Sequence, residues 1–253
     1  MRITKKDHLQ KIRAEVHDSL YVPALLKMNV GMATCGIAAG AKEVYDRARE
    51  IFKKQDILVA RTGCLGLCEE EPLVDIQAAG QPRIVYRRVT ADNIEELVEA
   101  HHKAEYSDKH ILGQMRDPRS VLEDDIENPL SGVFSTNGIP TLEEIPFYDK
   151  QLKIALRNCG YMDPESIEEY IGRGGYFSAF NALHDMEPEE IIEAIKISGL
   201  RGRGGGGFPT GVKWATCRKA HGENKYVICN ADEGDPGAYM DRSVLEGDPH
   251  SVL

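Results

Sequence analysis

The sequence predicts an α/β protein built in two parts, and three observations carry that reading. Over the first hundred residues, apolar runs of strand length alternate with helical stretches. A charged, Pro- and Gly-interrupted stretch follows. Short helices then lead into a loop dense in glycine. Residues 4–20 place Leu9, Ile12, Val16 and Leu20 at three- to four-residue spacing, which predicts a helix. ALLKMNV (24–30) reads as a buried strand, 36–54 as a helix with Ala, Val and Ile on one stripe, and DILVART (56–62) as a second strand. PLVDIQ (72–77) and RIVYRRV (83–89), parted by the turn AAGQP, predict a hairpin. TADNIEELVEAHH (90–102) opens with a cap and reads as a helix.

Strand, helix, strand, hairpin and helix is the element order of a small α/β domain of thioredoxin type, ending near residue 106. Residues 107–148 carry DPRS, ENPLSG, STNGIPT and EIPF, and read as a linker lying along a surface. Short helices are expected from there on: 149–158, then MDPESIEEYIG with Asp163 as cap and Pro164 in the first turn, then 174–185, then MEPEEIIEAIKISG. After the glycine loop, VKWATCRKA (212–220) predicts a helix, KYVICNA (225–231) a strand, and DEGDPGAYMDR an acidic loop.

A chain of 253 residues has room for one large domain or two ordinary ones. With 31 Lys and Arg against 41 Asp and Glu, the formal net charge is −10. That balance argues against general affinity for nucleic acid or an anionic membrane, so any anion site is local. No apolar run reaches the length of a membrane span, and MRITKKDHLQKI lacks the apolar core of a signal peptide. A cytoplasmic protein without membrane insertion is expected. Its six cysteines then read as thiols or metal ligands rather than disulfides.

The stretch GLRGRGGGGFPTGVKWATC (199–217) satisfies G-x-G-x-x-G at Gly202, Gly204 and Gly207. A helix precedes it where the dinucleotide fingerprint needs a strand, and Lys213 does not directly follow Gly211 as a Walker loop requires. A flexible linker would not stand between two patterned helices, and an RNA-binding segment would repeat RGG in a less acidic chain. Successive backbone N–H groups bared by glycine form an anion nest, and a helix starting just beyond adds its positive end. Arg203 and Lys213 add charge, so the loop reads as a phosphate cradle.

GLRGRGGGGFPTGVKW, followed by KYVICNADEGDPGAYMDRSVLEGDPH, resembles the NADH-oxidising FMN flavoprotein subunit of respiratory complex I. It is more similar still to the corresponding subunits of soluble NAD-linked hydrogenases, bifurcating ones among them, and of formate dehydrogenases. The resemblance covers residues 145–253 strongly, and residues 1–106 as the ferredoxin-like domain often fused in front. It implies that Gly202, Arg203, Gly204, Gly205, Gly206, Gly207 and Phe208 wrap the FMN phosphate and ring edge, with Phe208 on the nicotinamide side. By the same resemblance Lys213 sits near the flavin, Asn230, Asp232 and Glu233 hold the ribityl chain, and Asp235 meets the NADH. No side chain is needed as acid, base or nucleophile, because the flavin carries the chemistry.

GMATCGIAAGA and TGCLGLCEEEPLVDI resemble the two ligand loops of thioredoxin-like [2Fe–2S] ferredoxin domains, C-x4-C and C-x3-C. Cys35, Cys64 and Cys68 fall on that pattern, while the first position is Val30. Two readings stay open. A cluster binds through three cysteines and a non-cysteine ligand from this chain or a partner, or the domain has lost its cluster and remains as a docking module. Cys159, Cys217 and Cys229 read as small apolar fillers, Cys229 facing inward with Val227.

The implied domain plan is a ferredoxin-like domain at 1–106, a linker at 107–148, and the N-terminal part of an α/β FMN- and NADH-binding domain at 149–253. The implied activity is hydride transfer between NAD(H) and FMN, then single-electron transfer to iron–sulfur centres, with other subunits of a multi-subunit redox complex as partners. The family continues past PHSVL into the rest of the flavin sheet and a helical bundle with a [4Fe–4S] site. The chain is therefore expected to be a fragment, with the enzymatic activity belonging to its parent. The alternative is a non-catalytic electron-transfer or assembly module.

Overall fold

Alternation along Leu26–Gly31 (β1) determines what the sheet covers. Leu26, Met28 and Val30 point into one core, while Lys27 and Asn29 point to the other face. The computed structural model describes residues 3–21, 23–106, 109–116 and 138–253, in two compact units. One comprises Gln10–Arg173 with Ala231–Leu253, the other Met1–Leu9 with Gly174–Asn230.

In the larger unit β1 pairs in parallel with Ile57–Thr62 (β2) and antiparallel with Val74–Gln77 (β3). Ile84–Tyr86 (β4) continues antiparallel to β3, and Ile111–Gln114 (β5) to β4, giving the order β2-β1-β3-β4-β5. Helix α1 spans Lys6–Tyr21. The single helix expected over 36–54 is two, Thr34–Ala38 (α2) and Ala41–Ile51 (α3), because Gly40 takes a left-handed φ of 104° between them. Helix α4 spans Ile94–His102. Ala41, Val44 and Ala48 of α3 and Ile94 and Leu97 of α4 bury against Met28, Val30, Ile76, Ile84 and Tyr86 of the sheet. This mixed sheet with helices packed on it bears out the expected α/β class.

The opposite face carries polar anchors. Lys27 Nζ reaches Glu169 at 3.1 Å, and Asn29 donates to Asp75 at 2.8 Å. Asp75 in turn takes two bonds from Arg83, at 2.6 and 3.0 Å. A second apolar cluster joins Leu65, Leu73, Val85, Met115, Leu142 and Tyr148. Met115, Leu142 and Tyr148, like β5, come from the stretch read as linker. Its described parts are a sheet edge and core, and residues 117–137 lie outside the described residues. Prolines and acids interrupt that stretch and hide single apolar residues that need only one neighbour each.

Three further expectations are corrected. Residues 149–158 form turns, not a helix. Ser166, not Asp163, caps Ile167–Gly172 (α5), its side chain accepting from Glu169 N at 3.1 Å, while Asp163 closes the preceding turn on Glu165 N. Residues 225–231 form no strand: no described strand pairs with them, and Val227 is fully exposed.

The smaller unit holds Phe177–Asp185 (α6), Pro188–Ile197 (α7) and Thr210–Lys219 (α8). Helix α7 opens on a capping box between Glu187 and Glu190 with Pro188 in its first turn. Gly211 lets α8 approach it: a Cβ there would stand 2.7 Å from the Lys196 nitrogen. Met240–Gly247 (α9) belongs to the larger unit.

Candidate functional site

Two loops at the end of the parallel strand pair bring Cys35, Cys64 and Cys68 together. Cys35 sits in the first turn of α2, held close to the end of β1 because Gly36 lies on it. A Cβ at Gly36 would fall 2.2 Å from the Gly31 oxygen, so only glycine fits. Cys64 and Cys68 flank a loop that turns at Gly66, φ 100°, whose N–H donates to Cys64 Sγ at 3.1 Å. Leu65 anchors this loop in the second core cluster, and its carbonyl accepts from Lys153 Nζ at 2.6 Å.

Cys35 Sγ lies 3.3 Å from Cys64 Sγ, which lies 3.6 Å from Cys68 Sγ. All three sulfurs fall within 4.8 Å of one another. The Glu71 carboxylate occupies the adjoining side, its Oε1 3.7 Å from Cys35 Sγ and its Oε2 accepting from Leu73 N at 2.7 Å. The Cys64 thiol and then burial push the Cys35 thiol far above the usual range. Burial pushes Cys68 and Glu71 up as well. Cys35, Cys68 and Glu71, crowded at a partly buried site, resist ionisation together, and a bound multivalent cation would reverse that preference. Three thiols with a backbone N–H on one sulfur and glycine-lined walls fit a thiolate-held iron–sulfur group.

Val30, at the expected fourth ligand position, is fully buried in the first core cluster. Its neighbour Gly31 is the residue that faces Glu71, since a Cβ on Gly31 would meet Glu71 Oε2 at 3.4 Å. Alternation along β1 therefore turns Val30 to the other face of the sheet. Glu71 escapes a reading of the sequence because CEEEP looks like solvated charge; an acid directly before the proline of that loop is the available signal.

The glycine loop belongs to the smaller unit. It is closed at its base by Gly202 N–H donating to Phe208 O at 2.8 Å and by a bridge between Arg201 and Pro209. Gly205 and Gly207 adopt φ of 96° and 59°, and a Cβ at Gly204, Gly205 or Gly206 would meet nothing within 4 Å. The loop thus presents open backbone directly before α8, with Phe208, Arg203 and Lys213 at its surface. A bare, positively flanked loop of this kind fits a phosphate group. Asn230 is exposed in the same unit.

Asp232, Glu233 and Asp235 belong to the larger unit. Glu233 caps α9 there, accepting from Asp241 N at 2.8 Å and Arg242 N at 3.0 Å. Burial acts to raise its carboxyl, but the backbone donors of Arg242, Asp241 and Met240 outweigh it and hold the group below its ordinary range. Among the other cysteines, Cys159 is buried as expected, whereas Cys217 and Cys229 are exposed. The inward Cys229 depended on a strand that does not form.

Residues 195–253 match the family of the Nuo51 FMN-binding domain. The chain is 58% identical over 104 residues to the HndC subunit of the NADP-reducing hydrogenase of Solidesulfovibrio fructosivorans, covering 41% of this chain and 21% of that one. It is 48% identical over 100 residues to the F 2 subunit of the NADH-quinone oxidoreductase of Rhizobium meliloti, covering 40% and 24%. It is 35% identical over 192 residues to the alpha subunit of the NAD-reducing hydrogenase HoxS of Cupriavidus necator, covering 76% and 26%. The chain spans about a quarter of the length of these curated relatives. Among solved structures, a thioredoxin-like [2Fe–2S] ferredoxin from Aquifex aeolicus aligns at 18% identity and TM-score 0.32, covering 36% of this chain and 92% of that one. Residues 195–253 thus carry the match to the Nuo51 FMN-binding domain, within a chain similar to F subunits of NADH-quinone oxidoreductases and to subunits of NAD- and NADP-reducing hydrogenases.

Proposed function

We propose that this chain forms part of an NAD(H)-linked oxidoreductase subunit. Such a subunit would exchange hydride between NADH and FMN and release single electrons to iron–sulfur centres, one of which Cys35, Cys64 and Cys68 would hold. Residues 1–106 serve as the ferredoxin-like part, 109–116 and 138–148 add an edge strand and core residues to it, and 149–253 begin the flavin-binding part. The observation that carries the reading is the open glycine backbone of Gly204–Gly206, placed directly before α8 inside the segment that matches an FMN-binding family.

The residues divide the work by chemistry. Gly204 to Gly207 offer N–H groups to the phosphate from a loop that Gly202 closes at its base, and Arg203 and Lys213 lend positive charge. Phe208, exposed beside the loop, offers an aromatic face to a flat ring. Asn230, Asp232 and Asp235 offer polar contacts to the ribityl chain and the nicotinamide nucleotide, and Glu233 fixes the start of α9. Bound FMN would supply the exchange between two-electron hydride chemistry and single-electron release.

Other subunits of a redox complex are the partners, as the names of the relatives suggest. Among the described residues no helix is long and apolar enough to cross a membrane. We place the protein in the cytoplasm, where three adjacent thiols stay reduced.

The test is an FMN titration of the purified chain by quenching of flavin fluorescence, with Gly205→Val beside it. Saturable quenching that the variant loses supports the cradle, because valine disfavours a φ of 96° and blocks close approach. Equal quenching in both proteins, or none in the wild type, contradicts it.

A further inference from the structure

We propose that Glu71 is the fourth ligand of the iron–sulfur site, giving a carboxylate oxygen where a four-thiolate site has its last sulfur. The inference rests on the reading of Cys35, Cys64 and Cys68 as cluster ligands and supplies the group that completes the set.

Three consecutive acids follow Cys68, and the structure sends each to a different place. Glu69 is exposed to solvent. Glu70 pairs with Arg87 at 3.2 Å and Arg88 at 2.9 Å. Glu71 alone turns inward and is 7% exposed. Its carboxylate reaches Cys35 Sγ at 3.7 Å and Leu73 N at 2.7 Å, and among the described residues it has no ion-pair partner. A carboxylate is seldom buried without a cation beside it. The place for such a cation is the edge of the three gathered sulfurs, where the carboxylate stands.

The approach to that edge is kept open by glycine. A Cβ at Gly36 would crowd Glu71 Oε2 to 3.2 Å, and one at Gly31 would meet it at 3.4 Å. Like a thiolate, a carboxylate brings one negative charge, so the charge of the four-ligand set is kept while one donor becomes a harder oxygen. Val30 does not compete for the role, since its side chain lies in the core on the other face of β1.

The experiment is anaerobic reconstitution of the 253-residue protein with ferrous iron and sulfide, followed by desalting, iron analysis and EPR of the reduced state. Wild type, Cys64→Ser, Glu71→Gln and Glu71→Cys are compared. Glutamine keeps an oxygen to accept from Leu73 N but is a poor ligand, so it separates ligation from folding. The expected result is a wild-type cluster lost in Cys64→Ser, lost to a chelator at least about tenfold faster in Glu71→Gln, and retained in Glu71→Cys with altered EPR g values. A Glu71→Gln protein matching wild type in retention and in EPR overturns the inference and leaves the three-cysteine reading standing. A wild type that holds no iron overturns both. If Glu71→Gln loses its near-UV circular dichroism, Glu71→Cys decides: g values and potential identical to wild type overturn the assignment, and shifted ones support it.

Discussion

The backbone N–H of Thr34 donates to a carboxylate oxygen of Glu246 at 3.0 Å, across 212 positions of sequence. The Thr34 hydroxyl meets the other oxygen, and Arg242 donates to both Thr34 Oγ1 and Glu246. Thr34 directly precedes Cys35, so α9, which lies within the segment that matches the FMN-binding family, is fastened to the cysteine site.

Replacing Glu246 by Ala should free that fastening. The Thr34 amide should exchange with deuterium about fivefold to tenfold faster, the equivalent of about 1 kcal/mol for one charge-assisted bond. Burial works to raise the Glu246 carboxyl, but Thr34 and Arg242 outweigh it and hold the group below its ordinary range. A depressed acid contributes stability that is present above its unfolded value and lost as pH falls through its folded one. Protection at Thr34 should therefore weaken on acidification in the wild type and stay flat with pH, once intrinsic exchange is corrected, in Glu246→Ala. Equal protection in both proteins at neutral pH contradicts the fastening.

His101 is fully buried, with Nδ1 3.0 Å from the Tyr86 hydroxyl. Burial, helped by His102, lowers its pKa from 6.5 to about 4. Above pH 6.5 the ring is neutral in both folded and unfolded chains, and its contribution is whole. Between 6.5 and 4 the unfolded chain binds a proton that the folded one refuses, and about 3 kcal/mol is lost. Urea midpoints should fall over that window in wild type and less steeply in His101→Gln. Parallel slopes contradict the assignment.

Arg83 and Asp75 form a buried ion pair at 2.6 Å, shared with Asn29 and the Gly160 carbonyl. Arg83→Met strands a buried carboxylate and should cost about 3–5 kcal/mol in urea unfolding. Adding Asp75→Asn should recover at least about half of that, since the amide still accepts from Asn29. A single-variant cost under about 1 kcal/mol would mean that the pair is not buried in solution.

The first hundred residues are legible because their periodicities reflect what is buried. Met28 and Val30 alternate with Lys27 and Asn29, and the sheet honours that alternation. Tyr226, Val227 and Ile228 carry the same apolar signal yet stand exposed, because a strand needs a neighbour and spacing does not say whether one arrives. β5 escapes notice for the opposite reason: four residues in an interrupted stretch suffice once β4 offers an edge. Spacing likewise finds Cys35, Cys64 and Cys68 but not Glu71. Which of three adjacent acids turns inward is decided by the short turn at Cys68–Glu70, not by residue type.

The most direct measurement is EPR of the iron-loaded oxidoreductase subunit of which this chain is proposed to be part, freeze-quenched after anaerobic mixing with FMN and NADH. The signal of a reduced two-iron centre is expected when both are present, and its absence when either is omitted and in Cys64→Ser. A centre that dithionite reduces but NADH with FMN leaves oxidised would contradict the passage of electrons from nucleotide through flavin to this site.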